Sequence, residues 1–322
     1  MLTPRPLPPL LSIVIPMYNE EAAFPYLRAE LSRVRADFGC PTEIVLVDDG
    51  SSDGTVACMR AWSAEDKSIK SVVLSRNFGH QVAVSAGLDV SRGAAVVIMD
   101  ADLQDPPAVA VEMVRGYCLG YDVVYGQRIK RQDDTWFKRI TARLFYRLMR
   151  QFVDKRLPPN VGDFRLISRR VVNDLKRMPE RDRFLRGMVA WVGYAQLAQP
   201  YDRPRRVAGA TKYPFWKMIR FALTAIVAFS DLPLRLVTWG GFASLALSLV
   251  LIIRILFLYF ATNTPLVLGY PSLVIMIAFF SGMIMVSIGV LGLYVGKIFA
   301  ESQGRPLYLV ESAMNVDDPG SR

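Results

Sequence analysis

The sequence predicts an α/β domain on a mostly parallel sheet, followed by amphipathic and then membrane-spanning helices. Three observations lead there. Short β-branched runs alternate with helix-like stretches up to about Tyr213. Acidic or polar clusters close three of those runs. Beyond Leu236 the chain is dominated by long apolar stretches.

Each element has its own warrant. Ser12–Ile15, Glu43–Val47, Ser71–Leu74 and Ala94–Met99 are apolar runs of strand length and read as buried strands. Glu20–Asp37, Thr55–Ala64 and Gln81–Val90 lie between them and read as helices, with Ser51-Ser52-Asp53 as the N-cap signal of the second. Such alternation implies a parallel sheet covered on both faces, with ligands beyond the carboxyl ends of its strands. Two apolar segments, Leu236–Phe260 and Pro271–Val295, exceed the roughly 20 residues needed to cross a bilayer. Arg254, the one charge inside them, falls about 27 Å along the first span, where it can snorkel to the far interface.

Lys and Arg crowd the segment before the first span, and Lys297 and Arg305 follow the second, so both termini are expected in the cytoplasm. Phe137–Phe152 and Tyr213–Phe229 are basic and amphipathic; the second abuts a span and reads as an interfacial helix. The expected organisation is a cytoplasmic catalytic domain over 1–212, a juxtamembrane helix region over 213–235, a two-helix hairpin over 236–298 and a cytoplasmic tail over 299–322. A multi-pass protein of the inner (plasma) membrane follows.

The net charge of +10 calls for an anionic partner. No aromatic stacking platform is evident, so lipid headgroups or phosphorylated ligands fit better than nucleic acid. Three cysteines, Cys40, Cys58 and Cys118, show neither disulfide nor zinc spacing. Leu10–Pro16 is too short and too β-like for a signal peptide. No G-x-G-x-x-G follows a strand, and no P-loop is present, which disfavours a dinucleotide oxidoreductase.

The sharpest chemical signal is Asp100-Ala101-Asp102-Leu103-Gln104-Asp105-Pro106-Pro107, directly after the fourth strand. Carboxylates at a strand's carboxyl end suit Mg²⁺ or Mn²⁺, which take one or two carboxylates plus substrate phosphates. Asp48-Asp49, before Gly50-Ser51-Ser52-Asp53-Gly54, ends the second strand and can accept hydrogen bonds from a base or ribose. The first strand runs into Pro16-Met17-Tyr18-Asn19-Glu20-Glu21.

Together these clusters resemble the family 2 glycosyltransferases of the GT-A (Rossmann-like) fold. The likeness continues through Leu74-Ser75-Arg76-Asn77-Phe78-Gly79, Gly162-Asp163-Phe164-Arg165-Leu166, Pro179-Glu180-Arg181 and Gly209-Ala210-Thr211-Lys212-Tyr213. It is similar to the polyisoprenyl-phosphate glycosyltransferases, bactoprenol glucosyltransferases more closely than dolichol-phosphate mannose synthases. The resemblance implies Pro16, Tyr18, Glu20, Val47, Asp49, Asp100 and Ala101 around the nucleotide-sugar, with Asp102, Gln104 and Asp100 as metal ligands. It implies Arg206, Lys212 and Arg128 near the pyrophosphate, and Asp163 with Asp102 as catalytic carboxylates. His80, the chain's one histidine, stands where relatives often carry Lys and is read as local and structural. Thr211 replaces a frequent Ser and keeps its hydroxyl.

The implied partners are a nucleotide-sugar, UDP-glucose first, a polyisoprenyl phosphate, the membrane, and a second copy of the chain in a homo-oligomer. GDP-mannose is the alternative donor. Other readings are a processive polysaccharide synthase, disfavoured because no Arg-Trp pair occurs, and a non-enzymatic scaffold or lipid-carrier translocator. A lipid phosphate, with a second pKa near about 6, is already dianionic at neutral pH and hardly needs a strong base. Asp163 is therefore expected to orient the acceptor or a cation more than to remove a proton.

Overall fold

The computed structural model describes residues 2–129, 161–202, 232–262 and 269–316. These form two compact units. One holds residues up to 202 together with 305–316; the other holds the long helices within 232–304.

The first unit is an α/β domain on a mostly parallel sheet. Its strands are β1 (Leu11–Met17), β2 (Thr42–Asp48), β3 (Ile69–Leu74), β4 (Ala95–Ile98), β5 (Val123–Arg128), β6 (Val161–Ser168), β7 (Gln196–Tyr201) and β8 (Val310–Met314), in the order β7-β5-β6-β4-β1-β2-β3-β8. Neighbours β1/β2, β1/β4, β2/β3 and β5/β7 run parallel, whereas β6 is antiparallel to β4 and β5, and β8 to β3. The first three strands are buried at every position, as expected for runs covered on both faces. Helices α1 (Phe24–Val34), α2 (Thr55–Glu65), α3 (His80–Val90), α4 (Pro107–Cys118), α5 (Arg169–Arg177) and α6 (Leu185–Trp191) supply the covering. One core gathers Leu11, Ile13, Ile15, Leu31, Met59 and Phe164 on one face; the other gathers Val14, Val47, Val72, Val84 and Val171.

The chain turns one way after β1, into β2 and β3, and the other way at β4. That reversal leaves a crevice between the carboxyl ends of β1 and β4, where open α/β sheets hold ligands. Pro16 helps to open it. Leu10 and Val14 carbonyls accept from Ala94 and Met99 across the β1–β4 ladder, so Pro16, two residues on, faces the same side. Having no N–H, it ends that ladder without orphaning a donor.

Gly87 fixes how closely α3 can lie on this sheet. A Cβ there would meet Val14 Cγ1 at 2.3 Å and Val47 Cγ2 at 3.1 Å. Gly→Ala in a helix gains roughly 1 kcal/mol of propensity, but forcing a methyl into a packed interior costs about 1–3 kcal/mol. Gly87→Ala should therefore lower the denaturation midpoint. A midpoint equal to wild type would mean the helix can back away freely.

The structure departs from the sequence reading in several places. The first helix starts at Phe24, not Glu20, because residues 20–23 form a turn in which the Glu20 carbonyl accepts from Ala23 and Phe24. The Ser51-Ser52-Asp53 cluster does not cap α2: Gly54 is its N-cap and no side chain caps it, while Asp53 Oδ1 accepts from Thr55 N at 3.0 Å in the turn just before. The segment read as a tail supplies β8 and belongs to the first unit.

In the second unit, α7 (Leu232–Thr262) and α8 (Tyr270–Ser302) contain the two segments expected to span a membrane. Residues 232–235, assigned to the juxtamembrane region, are the start of α7. By length and composition, Phe279–Ser302 is the one stretch among the described residues that meets the criterion for crossing a membrane. Trp239, Phe242, Phe257, Met285, Val286 and Ile298 are exposed, an apolar surface suited to lipid. The amphipathic stretches Phe137–Phe152 and Tyr213–Phe229 lie outside the described residues.

Candidate active site

The site is built where seven strand ends meet one rim. Parallel β1, β2, β3 and β4 bring their carboxyl ends there. Because β6 runs antiparallel to β4, with Ile98 opposite Arg165, its first residues, including Asp163, reach the same rim. β5 runs back against β6 and delivers Arg128; β7 pairs Tyr201 with Arg128.

On the β1–β2 side, two loops are clasped by polar side chains. Asn19 N donates to Ser51 Oγ at 2.9 Å, and Asn19 Oδ1 accepts from Ser52 N at 2.8 Å. Glu20 N donates to Thr55 Oγ1 at 2.9 Å, and Glu21 Oε2 accepts from Gly54 N at 2.8 Å. The residues that looked like an N-cap therefore hold the first loop instead. Asp48 Oδ2 turns the chain by accepting from Gly50 N and Ser51 N, both at 3.0 Å. Gly50 has φ 74°, and a Cβ would lie 2.6 Å from Asn77 N, so only glycine lets the loops after β2 and β3 touch.

Asp49, expected at the nucleotide, is buried and accepts from Phe78 N at 2.7 Å and Gly79 N at 2.9 Å. Burial raises its pKa, against the two amides that lower it. It therefore also shapes the loop that launches α3. Pro16, Val47 and Ala101 are buried, whereas Tyr18 is 51% exposed at the rim.

On the β4–β6 side lie the carboxylates. Asp102 Oδ1 accepts from Gln104 N at 3.1 Å, curling the turn back on itself. Leu103 between them has φ 54°, a left-handed conformation disfavoured for a bulky side chain and found where a site imposes it. Burial pushes Asp100 up to about 6, with Asp105, Asp163 and Asp102 adding to the rise and His80 opposing it. Excess negative potential of this kind invites a cation. Among the described residues no three His, Cys, Asp or Glu side chains form a cage by themselves. Two carboxylates and one amide oxygen, from Asp100, Asp102 and Gln104, are nonetheless a hard-oxygen set of the sort that Mg²⁺ or Mn²⁺ completes with water and substrate phosphates.

Asp105 is fully buried and accepts from the Tyr201 hydroxyl. Arg128 Nε donates to the same phenol oxygen at 3.3 Å, and its Nη2 stands 3.9 Å from Asp105 Oδ1. Arg128 thus lies at the rim, held over Gly162, where a Cβ would meet its Nη2 at 2.7 Å.

Asp163 is gripped from several sides. Arg186 Nε donates to Oδ1 at 2.9 Å and Arg186 Nη2 to Oδ2 at 3.2 Å; Gln81 Nε2 donates to Oδ2 at 2.9 Å. Burial would raise the Asp163 pKa, but Arg186, His80 and Arg165 hold it far below the usual carboxylate range. It is therefore a poor proton acceptor. His80, read from sequence as local and structural, reaches into this cluster. Its Nε2 lies 3.6 Å from Asp163 Oδ2 and 3.7 Å from Asp100 Oδ1, between the two carboxylates. Burial lowers the His80 pKa, but the two acids together raise it overall. Arg206 and Lys212 lie outside the described residues.

Residues 12–176 match the profile of glycosyl transferase family 2. The chain belongs to this family. An uncharacterized glycosyltransferase of Synechocystis is 44% identical to this family 2 glycosyltransferase over 311 residues, 95% of this chain and 96% of the relative. The bactoprenol glucosyl transferase of Shigella phage SfX is 37% identical over 302 residues, 94% and 99% of the two chains. A prophage bactoprenol glucosyl transferase homolog of Escherichia coli is 37% identical over 308 residues, 94% and 98%. Among solved structures, a mannosyltransferase from Pyrobaculum calidifontis in complex with GDP-Man and Mn²⁺ matches at 18% identity and TM-score 0.41, covering 90% of this chain and 89% of that one. The protein is thus an enzyme, and the scaffold reading is set aside.

His80, Gln81, Arg186, Asp105 and Tyr201 were not picked out as site residues from sequence. Gln81 and Arg186 meet Asp163 across 82 and 23 residues, and no local spacing marks such a pair.

Proposed function

We propose that this glycosyltransferase moves a sugar, glucose first, from a nucleotide-sugar such as UDP-glucose to a polyisoprenyl phosphate such as undecaprenyl phosphate. The product is a lipid-phosphate-sugar made at the cytoplasmic face of the membrane. The observation that carries this reading is the crowded carboxylate rim at the sheet's switch point, in a chain that also has a membrane-length apolar helix. The names of the bactoprenol relatives support the acceptor.

The chemistry follows from the residues. An oxygen of the lipid phosphate attacks the anomeric carbon, the bond to the diphosphate breaks, and the nucleoside diphosphate leaves with the electron pair. Inversion is the expected outcome of one such displacement. Asp102, Asp100 and Gln104 would hold Mg²⁺ or Mn²⁺, which would supply positive charge against the negative charge that develops on the diphosphate. Arg128 stands beside these carboxylates and, with Arg206 and Lys212, is proposed to face the pyrophosphate. Pro16, Tyr18, Glu20, Val47 and Asp49 are proposed to line the base and ribose. Asp163, kept ionised by its cations, orients charge rather than taking a proton. The acceptor's chain stays in the bilayer, since extracting it costs about 0.8 kcal/mol per CH₂. A two-span anchor with both termini cytoplasmic would keep the enzyme at the membrane.

Purified protein incubated with undecaprenyl phosphate, Mg²⁺ or Mn²⁺ and a panel of nucleotide-sugars should yield one lipid product heavier by a single hexosyl residue. Failure to glycosylate the lipid with any donor would remove the acceptor reading. A product with the donor's anomeric configuration would remove direct inversion.

A further inference from the structure

Asp163 is joined to the first turns of two helices that are far apart in sequence. Arg186, at the start of α6, forks onto both its oxygens, and its Nη1 approaches the Val161 carbonyl at 3.4 Å. Gln81, at the start of α3, donates to Asp163 through Nε2 while its Oε1 accepts from Leu185 N at 3.1 Å. One amide side chain thereby ties α3 to the carboxylate and to the opening amide of α6. Arg165, 4% exposed, holds the strand's entry from behind, with Nη2 on the Gly162 carbonyl at 2.8 Å and Nε on the Asp163 carbonyl at 3.3 Å. The Asp163 side chain is only 12% exposed, so water does little to orient it.

We infer that Arg186 and Gln81 are positioning residues for the sugar-transfer step, locking the Asp163 carboxylate in one orientation so that His80 is held between Asp163 and Asp100. This rests on the proposed reaction, in which Asp163 acts in that step. The physical basis is geometric. A planar fork fixes a carboxylate in rotation as well as position, which a single-point ammonium cannot do. With α3 and α6 tied through Gln81, the His80 backbone, one residue earlier, inherits the same constraint. A displaced group in a preorganised site loses rate without losing ground-state binding.

The test compares Arg186→Lys, Arg186→Ala and Gln81→Met with wild type in the full-length protein, using UDP-glucose, Mn²⁺ and undecaprenyl phosphate. Arg186→Lys should lower kcat by about 10²-fold, by the cost of misplacing a catalytic group, with KM for UDP-glucose nearly unchanged. Gln81→Met should lower kcat in the same manner, and guanidinium chloride should partly restore Arg186→Ala. A purely structural role would lower the melting temperature and leave kcat per folded molecule intact. Retained kcat in both Arg186→Lys and Gln81→Met would overturn the inference. Carboxyl footprinting with a carbodiimide gives an answer independent of sugar transfer. Asp163 should be labelled slowly in wild type and at least about tenfold faster in Arg186→Ala, as expected when a fork of charge-assisted bonds is removed, with Asp122 labelled alike in both. Equal labelling of Asp163 would overturn the lock even if the protein proved active on another donor; if no donor is used, the reaction reading fails while the footprint still decides the lock.

Discussion

Asp100→Asn is expected to cut sugar transfer by about 10²–10³-fold while making the ligand-free protein more stable at neutral pH. Both effects have one origin. The Asp100 carboxyl sits at about 6, above its ordinary value of 3.8, because burial and the neighbouring acids penalise its charge. A folded-state value raised above the unfolded one favours the fold below the unfolded pKa, and that advantage disappears as pH rises through about 6. Ionised Asp100 therefore works against the fold at pH 7. A shift of this size corresponds to roughly 3 kcal/mol, but the side chain is 34% exposed and solvent screens it, leaving about 1–2 kcal/mol. The neutral amide lacks this penalty, so the variant should melt a few degrees higher at pH 7.5, and the gap should close towards pH 4. Mn²⁺ with UDP should stabilise wild type more than the variant, since only wild type keeps the full donor set. A variant that is inactive and also less stable at pH 7.5 would show that Asp100 holds the structure, not a charge in waiting.

The half of the sheet made from β1 to β4 was legible because those strands are buried on both faces and repeat their apolar pattern without interruption. The rim motifs were legible because each directly follows such a strand. What escaped was non-local. β6 runs against both its neighbours, and no local pattern tells it that it pairs with β4. Asp105 stood in the strand-end motif with no role of its own, yet it is fully buried and accepts from Tyr201, 96 residues later. His80 read as structural because one histidine has no partner in sequence; its partners arrive from β4 and β6. Asn19, Ser51 and Ser52 were visible as motif residues, but the hydrogen bonds between Asn19 and the two serines, which join two loops, depend on β1 and β2 lying side by side. The two long helices were plain from composition, because apolar length alone carries that signal.

The C-terminal segment carries the second large effect. A fragment of residues 1–212, the catalytic domain as sequence alone would cut it, should fold poorly, and appending 305–322 through a flexible linker should rescue it. β8 pairs Met314, Ala313, Ser312 and Val310 with Ser71, Val72, Val73 and Leu74. Ser75 N donates to the Leu309 carbonyl at 2.9 Å, extending the ladder. Asn315 Nδ2 donates to the Ser63 carbonyl at 2.6 Å and the Ile69 carbonyl at 2.8 Å, and Tyr308 donates to Asp89 at 2.8 Å. At about 1 kcal/mol net for each hydrogen bond, the segment contributes on the order of 5 kcal/mol, comparable to the whole stability of many domains. Its removal also turns β3, buried along its full length, into a bare apolar edge that invites pairing with other chains. The two fragments should differ by about 10–20 °C in melting temperature, with the shorter one aggregating. Asn315→Ala in the full chain should reproduce a fraction of the loss, because it removes two bonds to backbone carbonyls and leaves the strand in place. Equal melting of the two fragments would mean that β3 tolerates its edge and that the returning strand is ornament to the catalytic unit rather than part of its fold.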